Sequence, residues 1–333
     1  MTLIIAEAGV NHNGDMGMAR DLVAIAAEAG ADLVKFQSFN AAKIASGNAA
    51  KAKYQQETTG NGESQKAMLA RLELSRDDHD MLVEECGKLG VGFFSTGFDP
   101  DGVDMLVELG ADRIKVPSGE MVNRPLLEHV ADKGLPVILS TGMAELSEVA
   151  ASVELLVSRG IPRDEITVLH CNTEYPTPME DVNLRAMVTM GAALGTAYGY
   201  SDHTNGIEIP IAAVALGATV IEKHFTIRRD LPGPDHRASL EPVELTAMVR
   251  AIRNVERAVA GDGVKKPTPS ERANTSIARR SIVASVAISE GETLTTENCT
   301  VKRPGTGISP MRWHDVLGTK AKRDFAADEL IEL

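Results

Sequence analysis

The chain has 333 residues, 43% of them hydrophobic and 24% charged, with a formal net charge of −13; this suits an ordinary globular protein with one large domain and a small appendix. The negative charge and the lack of a dense basic patch interleaved with aromatics exclude a nucleic-acid surface, and no apolar run is long enough to span a bilayer. Three widely spaced cysteines, Cys86, Cys171 and Cys299, exclude a disulfide framework, and the N-terminus lacks the marks of a secretory signal, so a cytoplasmic location is expected.

From Thr2 to about Ala260 one unit repeats: a short apolar run ending in polar or glycine residues, then a segment with helical apolar spacing. The predicted strands are Leu3–Gly9, Ala31–Ser38, Val91–Phe98, Arg113–Gly119, Pro136–Gly142, Ile166–Asn172, Thr196–His203 and Thr219–Phe225. Helical patterns cover Met18–Ala29, Asp77–Leu89, Val103–Leu109, Arg124–Lys133, Leu146–Ser158 and Ile207–Leu216, and Pro242–Val259 follows the last strand. Eight strands alternating with helices predict a (β/α)8 TIM barrel over residues 1–260. The alternative, an open doubly wound sheet, would carry a glycine-rich phosphate turn after its first strand, and residues 9–14 (GVNHNG) do not fit GxGxxG.

Residues 261–279, with Pro267 and Pro269 among Lys, Ser and Thr, read as a linker. Beyond it, β-branched runs at Ser281–Ala287 and Asn298–Lys302, broken by turn elements near Gly291 and Gly305, predict a mainly-β domain over residues 280–333 with a thin core.

In such a barrel the reacting groups sit where strands end. The polar residues there are Glu7, Lys35, Gln37, Ser95, Thr96, Lys115, Ser118, Ser140, Thr141, His170, Asn172, Ser201, His203, Glu222 and His224. Alternation predicts that Lys35 with Gln37, His170 with Asn172, Ser201 with His203, and Glu222 with His224 share faces that can look into the lumen. By the same rule Cys171 and Lys223 point toward the helices. One or two polar strand ends are ordinary caps; polar ends on all eight strands are not.

His203 and His224 end neighbouring strands, and two imidazoles so placed can hold one divalent ion while leaving positions open. Glu222 and Asp235 lie near the pair in sequence. His12 and His236 are weaker candidates, while His79 and His129 fall in helical segments where a structural role is expected. Lys35 and Lys115 offer charge to a phosphate or carboxylate, beside the hydroxyls of Thr96, Ser118 and Ser140 and the open backbone at Gly119 and Gly142. A lysine at a strand end can also form a Schiff base, which leaves a lysine-dependent aldolase open at this point.

Residues 5–14 (IAEAGVNHNG), 34–37 (VKFQ), 115–120 (KVPSGE), 139–143 (LSTGM), 170–178 (HCNTEYPTP), 200–203 (YSDH), 222–226 (EKHFT) and 233–235 (GPD) resemble the motifs of the N-acetylneuraminate synthase family. Residues 302–310 (KRPGTGISP) resemble the antifreeze-like (SAF) domain that ends these synthases, so the likeness spans essentially the whole chain. It implies a TIM barrel followed by that small domain, and condensation of phosphoenolpyruvate with an N-acylated amino sugar. The sugar would be N-acetylmannosamine, giving N-acetylneuraminate, or alternatively 2,4-diacetamido-2,4,6-trideoxymannose, giving legionaminic acid.

By the same resemblance, His203 and His224 would hold a divalent ion, Mn2+ or Mg2+. Lys35, Thr96, Lys115, Ser118, Ser140, Asn172 and Ser201 would bind phosphoenolpyruvate. Glu7 would stand near the metal and the sugar, with Gln37, Tyr175 and Asp235 around the sugar. A domain-swapped homodimer is also implied, in which the tail domain caps the partner's barrel and brings Arg303 to the sugar. Gly97 stands where the family commonly has proline, and residues 115–118 vary in their middle positions, but the polar anchors are intact. The segment Ala45–Gly62 and the Tyr175 loop are expected to read the acceptor at C4 and C6.

Overall fold

The computed structural model describes residues 1–46, 49–60 and 62–333; within the predicted acceptor-reading segment, Gly47, Asn48 and Asn61 lie outside the described residues. The chain forms two compact units, Met1–Ala260 and Gly261–Leu333.

In the first unit eight parallel strands close on themselves in sequence order. They are β1 (Leu3–Gly9), β2 (Leu33–Ser38), β3 (Gly92–Gly97), β4 (Ile114–Val116), β5 (Val137–Ser140), β6 (Ile166–His170), β7 (Ala197–Asp202) and β8 (Val220–His224). The helices that follow them are α1 (Met16–Ala29), α2 (Arg76–Leu89), α3 (Pro100–Glu108), α4 (Arg124–Ala131), α5 (Leu146–Ser158), α6 (Leu184–Leu194), α7 (Glu208–Ala215) and α8 (Pro242–Val259). Three short helices, Ala41–Ile44, Lys53–Thr59 and Gln65–Ala70, occupy the long connection from β2 to α2.

Local chemistry explains the boundaries. Asp15 accepts a hydrogen bond from the Met18 N–H at the start of α1, and Ser75 with Asp78 forms a capping box on α2. Both helices end on glycines in the left-handed region, Gly30 and Gly90. Helix α6 escaped the sequence reading because its small residues blur the apolar stripe. Its Gly191 is required by packing, since a Cβ there would stand 2.1 Å from Cδ1 of Tyr198.

The strands are apolar on both faces. Outward residues such as Ile4, Val34, Phe36, Tyr200 and Ile221 pack under α1 and α8, while Ile114, Val116, Leu139 and Val168 pack under α4, α5 and α6. Inward, Ile5, Phe94, Ile138, Leu169 and Val220 fill the floor of the lumen. The next inward layer toward the strand C-termini is polar, so the barrel core itself sets where chemistry begins.

The second unit pairs β9 (Ser281–Ala284) and β10 (Cys299–Lys302) antiparallel over a core of Ile282, Ile288, Leu294, Val316, Phe325 and Ile331. The stretch read as a linker, 261–279, contains a ten-residue helix, α9 (Pro269–Ala278). Thr268 and Glu271 form its capping box, with Pro269 in the first turn, a start signal that the proline and polar content concealed. No described helix is long and apolar enough to cross a membrane.

Candidate active site

Parallel pairing sets Glu7 beside Lys35, Gln37 beside Thr96, Thr96 beside Lys115, and Ser201 beside Glu222. Paired residues of neighbouring strands project to the same side, so register gathers these groups above the apolar floor. Lys35 Nζ lies 3.1 Å from Glu7 Oε2, 3.2 Å from Glu222 Oε2 and 3.1 Å from Thr96 Oγ1. Lys115 Nζ donates to Ser140 Oγ at 2.8 Å and stands 3.6 Å from Glu222 Oε1, which also accepts from Ser201 Oγ at 2.9 Å. Gln37 Nε2 reaches Glu7 Oε1 at 3.3 Å. These residues line a cavity of about 490 Å³.

All four charged groups are buried, Glu7 at 1% exposure and Lys115 at 2%, and their charges balance unevenly. Burial raises the Glu7 carboxyl to about 7, opposed by Lys35 and reinforced by Glu222. Burial also works against the Glu222 carboxylate, but Lys115 and Lys35 outweigh it and hold that group below its usual range. The Lys35 ammonium loses to burial and gains more from Glu222 and Glu7, so it is raised. At Lys115 burial prevails and the ammonium is lowered. Glu7 is therefore the group in this layer that can exchange a proton near neutrality.

Above the layer stand the two histidines, ring centroids 5.5 Å apart and inclined at 54°. His203 donates its Nδ1 hydrogen to the Asn172 carbonyl, since a carbonyl can only accept; Nε2 keeps the lone pair. Burial lowers the His203 imidazole to about 4 and holds His224 well below its ordinary value, so both are neutral. Nδ1 of His224 is buried without a hydrogen-bond partner. Gly9 makes room beside it, for a Cβ there would stand 3.1 Å from Cε1 of His224 and 3.3 Å from its Nδ1. Among the described residues no group of three or more His, Cys, Asp or Glu side chains could hold a metal ion. Two neutral imidazoles, one with an orphaned nitrogen, fit a divalent ion that draws its other ligands from water and substrate.

The remaining candidates divide. Ser118 Oγ accepts from the Gly142 N–H at 3.0 Å at the wall of the cavity, and Asp235, also lining the cavity, is buried, with burial raising its carboxyl to about 7. The Tyr175 ring stacks on His203 at 4.0 Å. The Asn172 side chain instead accepts from the Glu174 N–H at 2.7 Å, so this residue meets the site through its carbonyl. Arg303 is exposed in the second unit, its Nε donating to the Ala278 carbonyl at 3.1 Å. Nδ1 of His12 accepts from the Gly14 N–H while its Nε2 is buried without a partner, and His236 Nδ1 meets Thr226 Oγ1 at 2.7 Å. His79 is buried against Ser38, which also meets Ser95 behind the lumen, and His129 pairs with Asp104.

Two orientations differ from expectation. On β6 it is Leu169 that faces the lumen, so His170 turns outward, its Nε2 at 3.0 Å from the Val182 carbonyl and its ring against Tyr200. Cys171 in turn faces inward, with Sγ 3.2 Å from Ser118 Oγ. Alternation was right and its phase was wrong, because the phase depends on how Leu169 registers against Ser140 and Gly199 on neighbouring strands. Glu222 shares the lumen face with His224 as alternation predicts, and its bridge between both lysines emerges only from the fold. Tyr54, which stacks on Tyr175 at 4.9 Å, carried no local signal.

Comparison with known proteins adds to this geometry. A model of the NeuB family matches residues 22–265, and a model of the SAF domain matches residues 279–332. The chain is 50% identical to the N,N'-diacetyllegionaminic acid synthase of Campylobacter jejuni over 99% of this chain and 98% of that protein. It is 44% identical to the synthase of the same name from Legionella pneumophila, over 97% and 91%. Among solved structures, the N-acetylneuraminic acid synthetase of Leptospira borgpetersenii, determined with citrate, superposes with a TM-score of 0.71 at 36% identity, over 82% of this chain and 90% of that one.

Proposed function

The chain belongs to the NeuB family, and on that premise we propose that it is a sialic-acid-type synthase, joining phosphoenolpyruvate to N-acetylmannosamine and water to give N-acetylneuraminate and phosphate. The buried Lys35, Glu7, Glu222 and Lys115 layer, directly beneath the histidine pair, carries this reading.

The lower end of the cavity suits phosphoenolpyruvate. With Glu7 protonated, two lysines face one ionised carboxylate, leaving net positive charge for a phosphorylated acid. Lys35 and Lys115 bind its anionic groups, with Thr96, Ser118, Ser140 and Ser201 donating hydroxyl hydrogens, and Asn172 acts through the carbonyl that holds His203. A divalent ion held by His203 and His224 would polarise the acceptor aldehyde. C3 of phosphoenolpyruvate then bonds to the aldehyde carbon, and positive charge develops at C2. Glu7 gives its proton to the aldehyde oxygen and recovers one from the water that adds at C2, a cycle that a carboxyl near pKa 7 can complete. The tetrahedral product breaks its C–O bond and phosphate leaves beside the lysines. Gln37, Tyr175 and Asp235 hold the sugar.

The wall of the acceptor end favours a second sugar. Val10, Met68, Leu69, Leu72 and Phe98 line it, an apolar surface better matched to a 6-methyl group than to a hydroxymethyl. That surface, with the Campylobacter and Legionella relatives, supports 2,4-diacetamido-2,4,6-trideoxymannose as the acceptor and legionaminic acid as the product. Phosphate release from phosphoenolpyruvate with each sugar decides between them. Release with neither, or activity that survives EDTA and is trapped by borohydride, sinks the synthase reading.

The same proposal includes cytoplasmic work and a homodimer whose second unit brings Arg303 to the partner's sugar. The guanidinium offers its two terminal NH2 groups beyond the single Nε bond, and helix α9 buries none of its own residues, both consistent with a surface that expects a partner.

A further inference from the structure

Tyr54 lies on the short helix Lys53–Thr59 and lines the same cavity as the lysine layer. Its ring stacks on Tyr175 at 4.9 Å and 25°, and Tyr175 in turn stacks on His203 at 4.0 Å and 28°. The Tyr175 edge also meets His224, at 5.6 Å and 82°. Tyr175 thus touches both histidines, and Tyr54 is the aromatic ring from another segment that steadies it. The segment holding Tyr54 keeps its shape by other means. Lys51 buries its ammonium among Thr59 Oγ1 at 2.9 Å, the Gly60 carbonyl at 3.1 Å and Glu63 at 3.2 Å, and Glu63 also takes two hydrogen bonds from Arg71.

Resting on the synthase reading above, we propose that Tyr54 is a positioning residue for the acceptor sugar: it fixes the plane of Tyr175 and through it the tilt of His203. Tyr175 has rotational freedom about its side-chain torsions, and stacking on one face alone leaves the other open to solvent. A ring on the second face removes that freedom at little entropic cost, because Tyr54 is itself carried on a helix. The sugar meets this wall, together with Gln55, Asp235 and Gln37, whereas phosphoenolpyruvate meets the lysine layer below. Removing the Tyr54 ring should therefore weaken the acceptor and spare phosphoenolpyruvate. Only the ring is needed; its hydroxyl has one long contact, from Gln55 Nε2 at 3.4 Å.

The test is a kinetic split with a conservative rescue. In Tyr54→Ala the KM for the acceptor rises about fivefold or more while that for phosphoenolpyruvate stays within about twofold, and Tyr54→Phe remains close to wild type, as expected for a lost stacking contact. A parallel rise in both constants, an unchanged acceptor KM, or a Phe variant as poor as the Ala variant overturns the proposal. The second readout needs no turnover. In the full-length protein the His203 Cε1–H resonance shifts in Tyr54→Ala in the same direction as in Tyr175→Ala, and stays in place in Tyr54→Phe. If the wild type releases no phosphate, the synthase reading fails, and the resonance alone judges the coupling; a His203 signal unmoved by Tyr54→Ala ends it.

Discussion

Lys223 and Asp202 form a wholly buried ion pair, 2.6 Å apart, on the outer faces of β8 and β7. The inner faces of the same strand ends carry Ser201, Glu222 and the histidine pair, so this bond ties together the two strands that hold the candidate metal ligands. Lys223 also donates to the Thr204 carbonyl, and Asp202 accepts from the Thr204 N–H at 3.0 Å. Burial lowers the Lys223 ammonium, and Asp202 opposes that shift.

Asp202→Ala is expected to destabilise the protein by about 3–5 kcal/mol, because it strands a buried ammonium. Replacing both partners, Asp202→Leu with Lys223→Met, should recover much of that loss. Urea unfolding monitored by circular dichroism measures both; a single variant within about 1 kcal/mol of wild type would contradict the pairing as the source of stability.

His203→Ala and His224→Ala are each expected to abolish turnover with little change in far-ultraviolet circular dichroism, since each removes one of two imidazoles from an open site. The check is activity after chelation and re-addition of Mn2+. Near-normal rates in either variant would remove that residue from the metal.

Lys115→Ala should raise the KM for phosphoenolpyruvate about tenfold or more, the worth of a charge-assisted contact, and leave the acceptor constant nearly unchanged. Steady-state kinetics with each substrate varied in turn separates the two. An unchanged phosphoenolpyruvate constant would move Lys115 out of the anion site.

Glu7→Gln keeps the shape of the carboxyl and its contact with Gln37 but cannot cycle a proton, so kcat is expected to fall by about 10²–10⁴ with phosphoenolpyruvate still bound. Calorimetric titration of the variant with phosphoenolpyruvate tests the second half of the claim. A fall in kcat below threefold would assign the proton transfers elsewhere.

For the proposed homodimer, mixing His203→Ala subunits with Arg303→Ala subunits gives heterodimers in which exchanged tails leave one site intact and one doubly damaged. Activity recovered from two inactive parents supports capping in trans. Confirmed heterodimers that stay inactive, from parents that are both inactive, mean that each tail serves its own barrel.

Much of this protein follows from local sequence. Eight apolar runs with helices between them predict the closed barrel, since strand and helix periodicities are properties of a few consecutive residues. Alternation put Lys35 with Gln37 and Glu222 with His224 on common faces for the same reason, and it set Lys223 outward, where the ion pair with Asp202 lies. Other features needed the fold. Whether His170 or Cys171 enters the lumen depends on the stagger of β6 against β5 and β7, which no residue of β6 encodes alone. The helix over Pro269–Ala278 was hidden behind residues that equally make a linker. The shared burial of Glu7, Lys35, Lys115 and Glu222 shifts their protonation only once strands far apart in the chain meet. Tyr54 finds Tyr175 by the same route, because electrostatic and stacking energies depend on distance in space, which the closed barrel and the folded connections between its strands set together.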